Sequence, residues 1–108
     1  GYDHNKTLMM KRAKDKADYV LHLDADDLLV NDLDFTKDDI GQDAYYMNVT
    51  RGDLKWKALI IFNNRLTWRF CGVAHTTIKC EEKGIFITKD IANRNHYVSG
   101  EFIWVKRS

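Results

Sequence analysis

Three carboxylates, Asp24, Asp26 and Asp27, fall within four residues, directly after the apolar run Tyr19-Val20-Leu21-His22-Leu23. Carboxylates this close repel one another unless protons or a cation relieve them. A hard divalent cation takes oxygen ligands, and a diphosphate can complete its shell. One metal can then bridge protein carboxylate and phosphate oxygens and neutralise charge developing on a leaving diphosphate. A calcium loop of the EF-hand type does not fit. Counted from Asp24 it needs Gly sixth and Glu twelfth, and the chain has Leu29 and Phe35 there. The rival reading is a solvated acidic turn. The preceding strand weighs against it, because ligands in open α/β sheets sit at the carboxyl ends of strands.

Other residues carry weaker chemistry. Trp56 and Trp68 flank an expected hairpin, and their faces would suit a sugar ring as well as a core. Arg65 and Arg69 match phosphate geometry or an exposed face equally. His22 reads as core or as support behind a site. Cys71, His75 and Cys80 are spaced as C-x3-H-x4-C without a fourth ligand, so the cysteines read as ordinary thiols of a reducing, cytoplasmic compartment. Asp32, Asp34, Asp38, Asp39 and Asp43 read as a solvated acidic loop, and His4 and His96 carry no signal.

The elements that must position these groups read as α/β. Residues 5–17 predict a helix with a partial apolar stripe of Leu8, Met9, Ala13 and Ala17. Residues 18–23 predict a strand that runs into the carboxylates, and 28–43 predict loop and turn with one helical turn. Ala44 to Thr50 and Trp56 to Phe62 predict the two strands of a hairpin around the turn Arg51-Gly52-Asp53. Short strands follow at 66–70 and 85–88. A polar loop is expected over 89–100, then the start of a helix at 101–106.

The segment Ala17-Asp18-Tyr19-Val20-Leu21-His22-Leu23-Asp24-Ala25-Asp26-Asp27-Leu28-Leu29 resembles the DXD segment of family 2 glycosyltransferases with the GT-A fold. In that family a helix with an early Asn precedes the strand, and Asn5 stands in that place here. A second segment, Leu66-Thr67-Trp68-Arg69-Phe70-Cys71-Gly72-Val73-Ala74-His75, looks like the family's "R...w.g.vHe" stretch reached after a hairpin. The resemblance covers about residues 3–80 and rests on two motifs in order. It implies transfer, mostly inverting, of a sugar from a nucleotide-sugar donor to the hydroxyl of a glycan or other acceptor, with Mn2+ or Mg2+ as cofactor. By position it puts Asp24, Asp26 and His75 at the metal. Asp24, Asp26, Asp27 and Asn5 fall at the donor diphosphate; the aromatic faces of Trp68 and Trp56, rather than the resemblance, make them the candidates to line an acceptor groove. Where the family often has Glu after the His, this chain has Thr76. No catalytic base is therefore assigned, and Asp53 is only a carboxylate in a turn. The expected architecture is a partial GT-A (nucleotide-diphospho-sugar transferase) domain, a mixed sheet with a β-hairpin, lacking the N-terminal nucleotide-binding βα units.

Composition bounds these readings. The chain has 108 residues, 44 % of them hydrophobic and 31 % charged, which suits one folded domain and argues against general disorder. No stretch reaches the roughly 18 apolar residues of a membrane span. Residues 1–50 carry 6 Lys/Arg and 11 Asp/Glu, a net of −5, and residues 51–108 carry 11 and 5, a net of +6. This asymmetry predicts a cleft with two electrostatic faces. The basic residues of the second half are scattered and form no recognition motif, which argues against a nucleic-acid module. The remaining alternative is a degenerate glycosyltransferase-like domain that binds a glycan or partner without catalysis.

Overall fold

The computed structural model describes residues 2–23, 27–72 and 77–100, with the backbone alone for residues 2–6. The helix expected at 101–106 lies outside the described residues. Helix α1 runs over Tyr2–Ala13. The strands are β1 (Tyr19–Leu21), β2 (Leu28–Val30), β3 (Ala44–Arg51), β4 (Leu54–Asn63), β5 (Trp68–Cys71), β6 (Thr77–Cys80), β7 (Thr88–Asp90) and β8 (Tyr97–Gly100). The helical turn expected between 28 and 43 is a 3-10 helix at Lys37–Asp39.

The hairpin of β3 and β4 is the centre of a six-stranded mixed sheet of order β1-β4-β3-β8-β2, with β7 also against β3. Residues Ala44 to Arg51 pair antiparallel with Phe62 to Leu54, with one register shift at Tyr45/Tyr46. Gly52 closes the two-residue turn at φ 56°, a left-handed conformation that such turns require and glycine adopts without strain. β7 and β8 run parallel to β3 in succession along its other edge. The architecture is therefore a small α/β-type domain, mostly sheet, with little helix. β5 and β6 form a separate antiparallel ribbon.

Side-chain alternation gives the sheet two apolar faces. Val20 packs with Met10, Ala44, Phe62, Trp68, Phe70 and Cys80, against α1 and the ribbon. Tyr19 and Leu21 pack with Tyr45, Met47, Val49, Ile61, Ile91 and Val98. α1 meets the ribbon through Met10, which is buried, and through the Thr7 hydroxyl, which accepts from the Phe70 amide at 3.1 Å. Leu8 and Met9, expected in its apolar stripe, are exposed.

Strands β2 and β8 lie in segments expected as loop, formed by pairing with each other and by β8 pairing with β3, and other elements end or begin away from their expected places. α1 stops at Ala13, not at residue 17, because Asn64 reaches over from the end of β4. Its amide donates to Ala13 O at 2.7 Å and to Ala17 O at 2.8 Å. The buried Asn64 thereby satisfies a terminal carbonyl that another helical turn would have used. The strand expected at 85–88 is shifted to 88–90. The Asp43 carboxylate takes the Ile87 amide at 2.7 Å, while Ile85 and Ile87 stay exposed.

Candidate functional site

Described residues of both motif segments line one cleft of about 600 Å3. His22 and Asp27 bracket the acidic run, while Phe70 and Thr77 lie on either side of His75 in sequence, and all four are at its wall. The β3–β4 hairpin supplies Arg51 and Trp56 from its turn end and Leu59 and Ile60 further along, and Phe86 completes an apolar side. His22 stacks on Phe70 with ring centroids 5.3 Å apart and planes at 27°.

Asp27 forms the polar end of the cleft. Its side chain is 7 % exposed, and Arg51 Nη2 donates to its Oδ1 at 3.0 Å. A charge-assisted contact at this depth satisfies a carboxylate that would otherwise be costly to bury. Arg51 was expected only as part of a turn. Nothing in its local sequence marks it, because its partner lies 24 residues earlier.

The two tryptophans separate. Trp56 lies on the cleft wall with 41 % of its surface exposed, so a ring face is offered to a ligand. Trp68 is 1 % exposed, with Phe62 and Phe86 edge-on to it at 5.1 and 5.0 Å and its indole N–H donating to Asn63 O at 2.9 Å. It belongs to the core and has no face for a sugar, which corrects the expectation that it lies beside an acceptor. Asp24, Asp26 and His75 lie outside the described residues, as does the side chain of Asn5.

Arg65 and Arg69 stand away from this cleft. Arg65 borders hollows beside Asp18, and Arg69 pairs with Glu81 at 3.5 Å on the exposed outside of the ribbon. Asp53 is exposed in the hairpin turn and does not line the cleft. Cys71 faces Thr77 and Cys80 faces Trp68 in the ribbon register. Three strand residues separate the cysteines by about 10 Å, and both are free thiols. Burial pushes the Cys80 thiol up from its ordinary value.

The acidic loop is not uniformly solvated, contrary to expectation. Asp39 is fully buried. It accepts from Arg94 at 2.8 and 2.5 Å, from Lys89 at 2.8 Å and from the Thr36 amide at 2.7 Å. The Arg94 guanidinium, with Lys89 and the Thr36 amide, holds its carboxyl well below the usual carboxylate range, against the opposing effect of burial. Asp43 is 3 % exposed and accepts from Lys83 at 2.9 Å. His96 is likewise fully buried, with Nδ1 2.9 Å from Asp34 Oδ1. Sequence reading found no signal for Arg94 or His96, since each meets its partner about 60 residues away.

Among the described residues no group of three His, Cys, Asp or Glu side chains is arranged to hold a metal. Among them, too, no helix is long and apolar enough to cross a membrane. No family model matches the chain, and neither a curated protein nor a solved structure matches it.

Proposed function

We propose that this chain belongs to a metal-dependent glycosyltransferase domain of the GT-A type. It would transfer a sugar from a nucleotide-sugar donor to an acceptor hydroxyl. One observation carries the reading: His22 and Asp27 of the first segment, Phe70 of the second and Thr77 just beyond it line the same cleft, although about 40 residues separate the two segments. Two motifs that act on one substrate must meet in space, and sequence order alone does not bring them together.

The described residues would not hold Mn2+ or Mg2+ alone, since the Asp27 carboxylate is engaged by Arg51. The ligands in this reading are Asp24, Asp26 and His75. A divalent ion there would offset charge on a departing diphosphate. Trp56 would stack on the acceptor ring, and the apolar side at Leu59, Ile78 and Phe86 would exclude water.

The test is a titration of the 15N-labelled chain with Mn2+, alone and with a nucleoside diphosphate. Paramagnetic broadening centred on the amides of His22, Asp27 and Thr77, and lost in Asp26→Asn, is the expected result. Broadening spread over the exposed carboxylates and unchanged in Asp26→Asn would overturn the metal site. The non-catalytic domain would then be the better reading.

A further inference from the structure

A second hollow, of about 400 Å3, shares no lining residue with the cleft. It opens between the start of β1, residues 35–41 and the end of β4. Its lining surface is mostly apolar. Tyr19 and Phe35, both half-buried, meet edge to face with ring centroids 6.0 Å apart. Ile40 lines the same hollow and leaves 64 % of its surface uncovered. Concave aromatic and aliphatic surface of this kind has apolar area still to lose to a ligand.

The walls are held in place by contacts of the fold itself. Buried Asp39 is anchored by Arg94 and Lys89 and accepts from the Thr36 amide at 2.7 Å, which fixes one wall. The Gly41 amide donates to the Tyr19 hydroxyl at 2.8 Å and ties that wall to β1. Asn63 sets the third side. Its amide donates to Gln42 O at 3.4 Å, and its Oδ1 accepts from the Arg65 amide at 3.0 Å. A hollow formed in advance spares a ligand the cost of ordering its walls.

Three charged side chains border it, Lys37, Arg65 and Asp18, and all three are exposed. Among the described residues none of them is in an ion pair. Two cations against one anion leave the rim with one net positive charge. We propose that this hollow is a binding site for a small aryl carboxylate, its ring against Tyr19, Phe35 and Ile40 and its carboxylate at Arg65 and Lys37. A guanidinium presents paired donors that match the two oxygens of a carboxylate. One negative charge balances the rim, whereas a cationic ligand would meet two like charges. The site involves no residue of the cleft and does not depend on the glycosyl-transfer reading.

The experiment titrates the 15N-labelled chain with phenylacetate, and separately with phenethyl alcohol, phenethylamine and acetate. For a probe this small, affinity on the order of 1 mM is expected. Phenylacetate should give saturable shifts at the amides of Tyr19, Thr36, Gly41 and Arg65. The alcohol should bind about fivefold more weakly, the size of an exposed charge contact. The amine should bind more weakly still, and acetate, which has no ring, should not saturate. Two variants at exposed positions test the charges in opposite directions, with thermal midpoints as the control on folding. Arg65→Met should weaken phenylacetate about fivefold, and Asp18→Asn should tighten it. The proposal is overturned if phenylacetate gives no saturable shifts at these amides, if the alcohol or the amine binds as tightly, or if the two variants move the affinity in the same direction.

Discussion

Replacing Asp39 by Ala should be among the most damaging single changes in this chain. The carboxylate is fully buried and accepts two contacts from Arg94, one from Lys89 and one from the Thr36 amide. Removing one partner of a buried ion pair typically costs about 3–5 kcal/mol, because the other charge is left uncompensated. Here the side chains of Arg94 and Lys89 are 20 % and 33 % exposed, so water can recover part of the loss and the lower end, about 3 kcal/mol, is expected. For a domain of this size that lowers the thermal midpoint by about 12–24 °C. The wild type also has a pH signature. Its Asp39 carboxyl lies well below the ordinary value in the folded state. The unfolded chain therefore binds more protons below about pH 4, so the stabilisation is complete above that pH and is lost as acidification proceeds. Urea unfolding of wild type and Asp39→Ala at pH 7 and pH 3 measures both effects. The difference between the two proteins should shrink at the lower pH. A loss under about 1 kcal/mol at pH 7, a size typical of exposed pairs, would refute the assignment of Asp39 as a buried anchor.

Two further outcomes follow from the site. Trp68→Ala should cost about 3–5 kcal/mol, as expected for a large ring removed from a packed core, whereas Trp56→Ala should change stability by about 1 kcal/mol or less and abolish chemical-shift changes in the cleft on titration with oligosaccharides. Urea midpoints and two-dimensional spectra distinguish them, and equal destabilisation by both would contradict their different burial. In the folded chain Cys80 should resist iodoacetamide at pH 8 while the half-buried Cys71 reacts, since burial keeps the Cys80 thiol protonated. Mass-spectrometric mapping of the label that finds Cys80 modified first would contradict the packing at the end of the ribbon.

Much of the sheet was legible because its strands are locally self-consistent. Ala44 to Thr50 and Trp56 to Phe62 carry β-forming side chains on both sides of a Gly-containing turn, and β3 and β4 lie there, longer by Arg51 in β3 and by Leu54, Lys55 and Asn63 in β4. β8 was not legible. Tyr97 to Gly100 follows a polar run and has little apolar pattern, so its strand conformation depends on parallel pairing with β3 and antiparallel pairing with β2. No window of local sequence contains that information. The end of α1 fails for the same reason, since the amide that caps it belongs to Asn64. Of the residues lining the cleft, Trp56 and Asp27 were singled out in the sequence by type. Arg51 and Gly100 were not, because strand order alone brings them beside Asp27.

The charge asymmetry shows what sequence order conceals. An acidic first half and a basic second half were expected to face each other across an open cleft. Instead, several of the described ion pairs join them inside the fold: Asp43 to Lys83, Asp39 to Lys89 and Arg94, and Asp27 to Arg51. Each acidic partner is buried and each basic partner reaches it from a later strand or loop. Part of this asymmetry therefore reflects which strands must meet, and among the described ion pairs the one at Asp27 lines the cleft. That pair lies where the acidic run enters the sheet, so the same kind of contact that closes the fold elsewhere sets the wall of the candidate site. A ligand that competed for Arg51 would have to displace a buried carboxylate, whereas a ligand seated against the wall would leave the pair intact. The second arrangement involves no loss of a buried ion pair, and the exposed Trp56 is the cleft side chain a ligand could meet in that way.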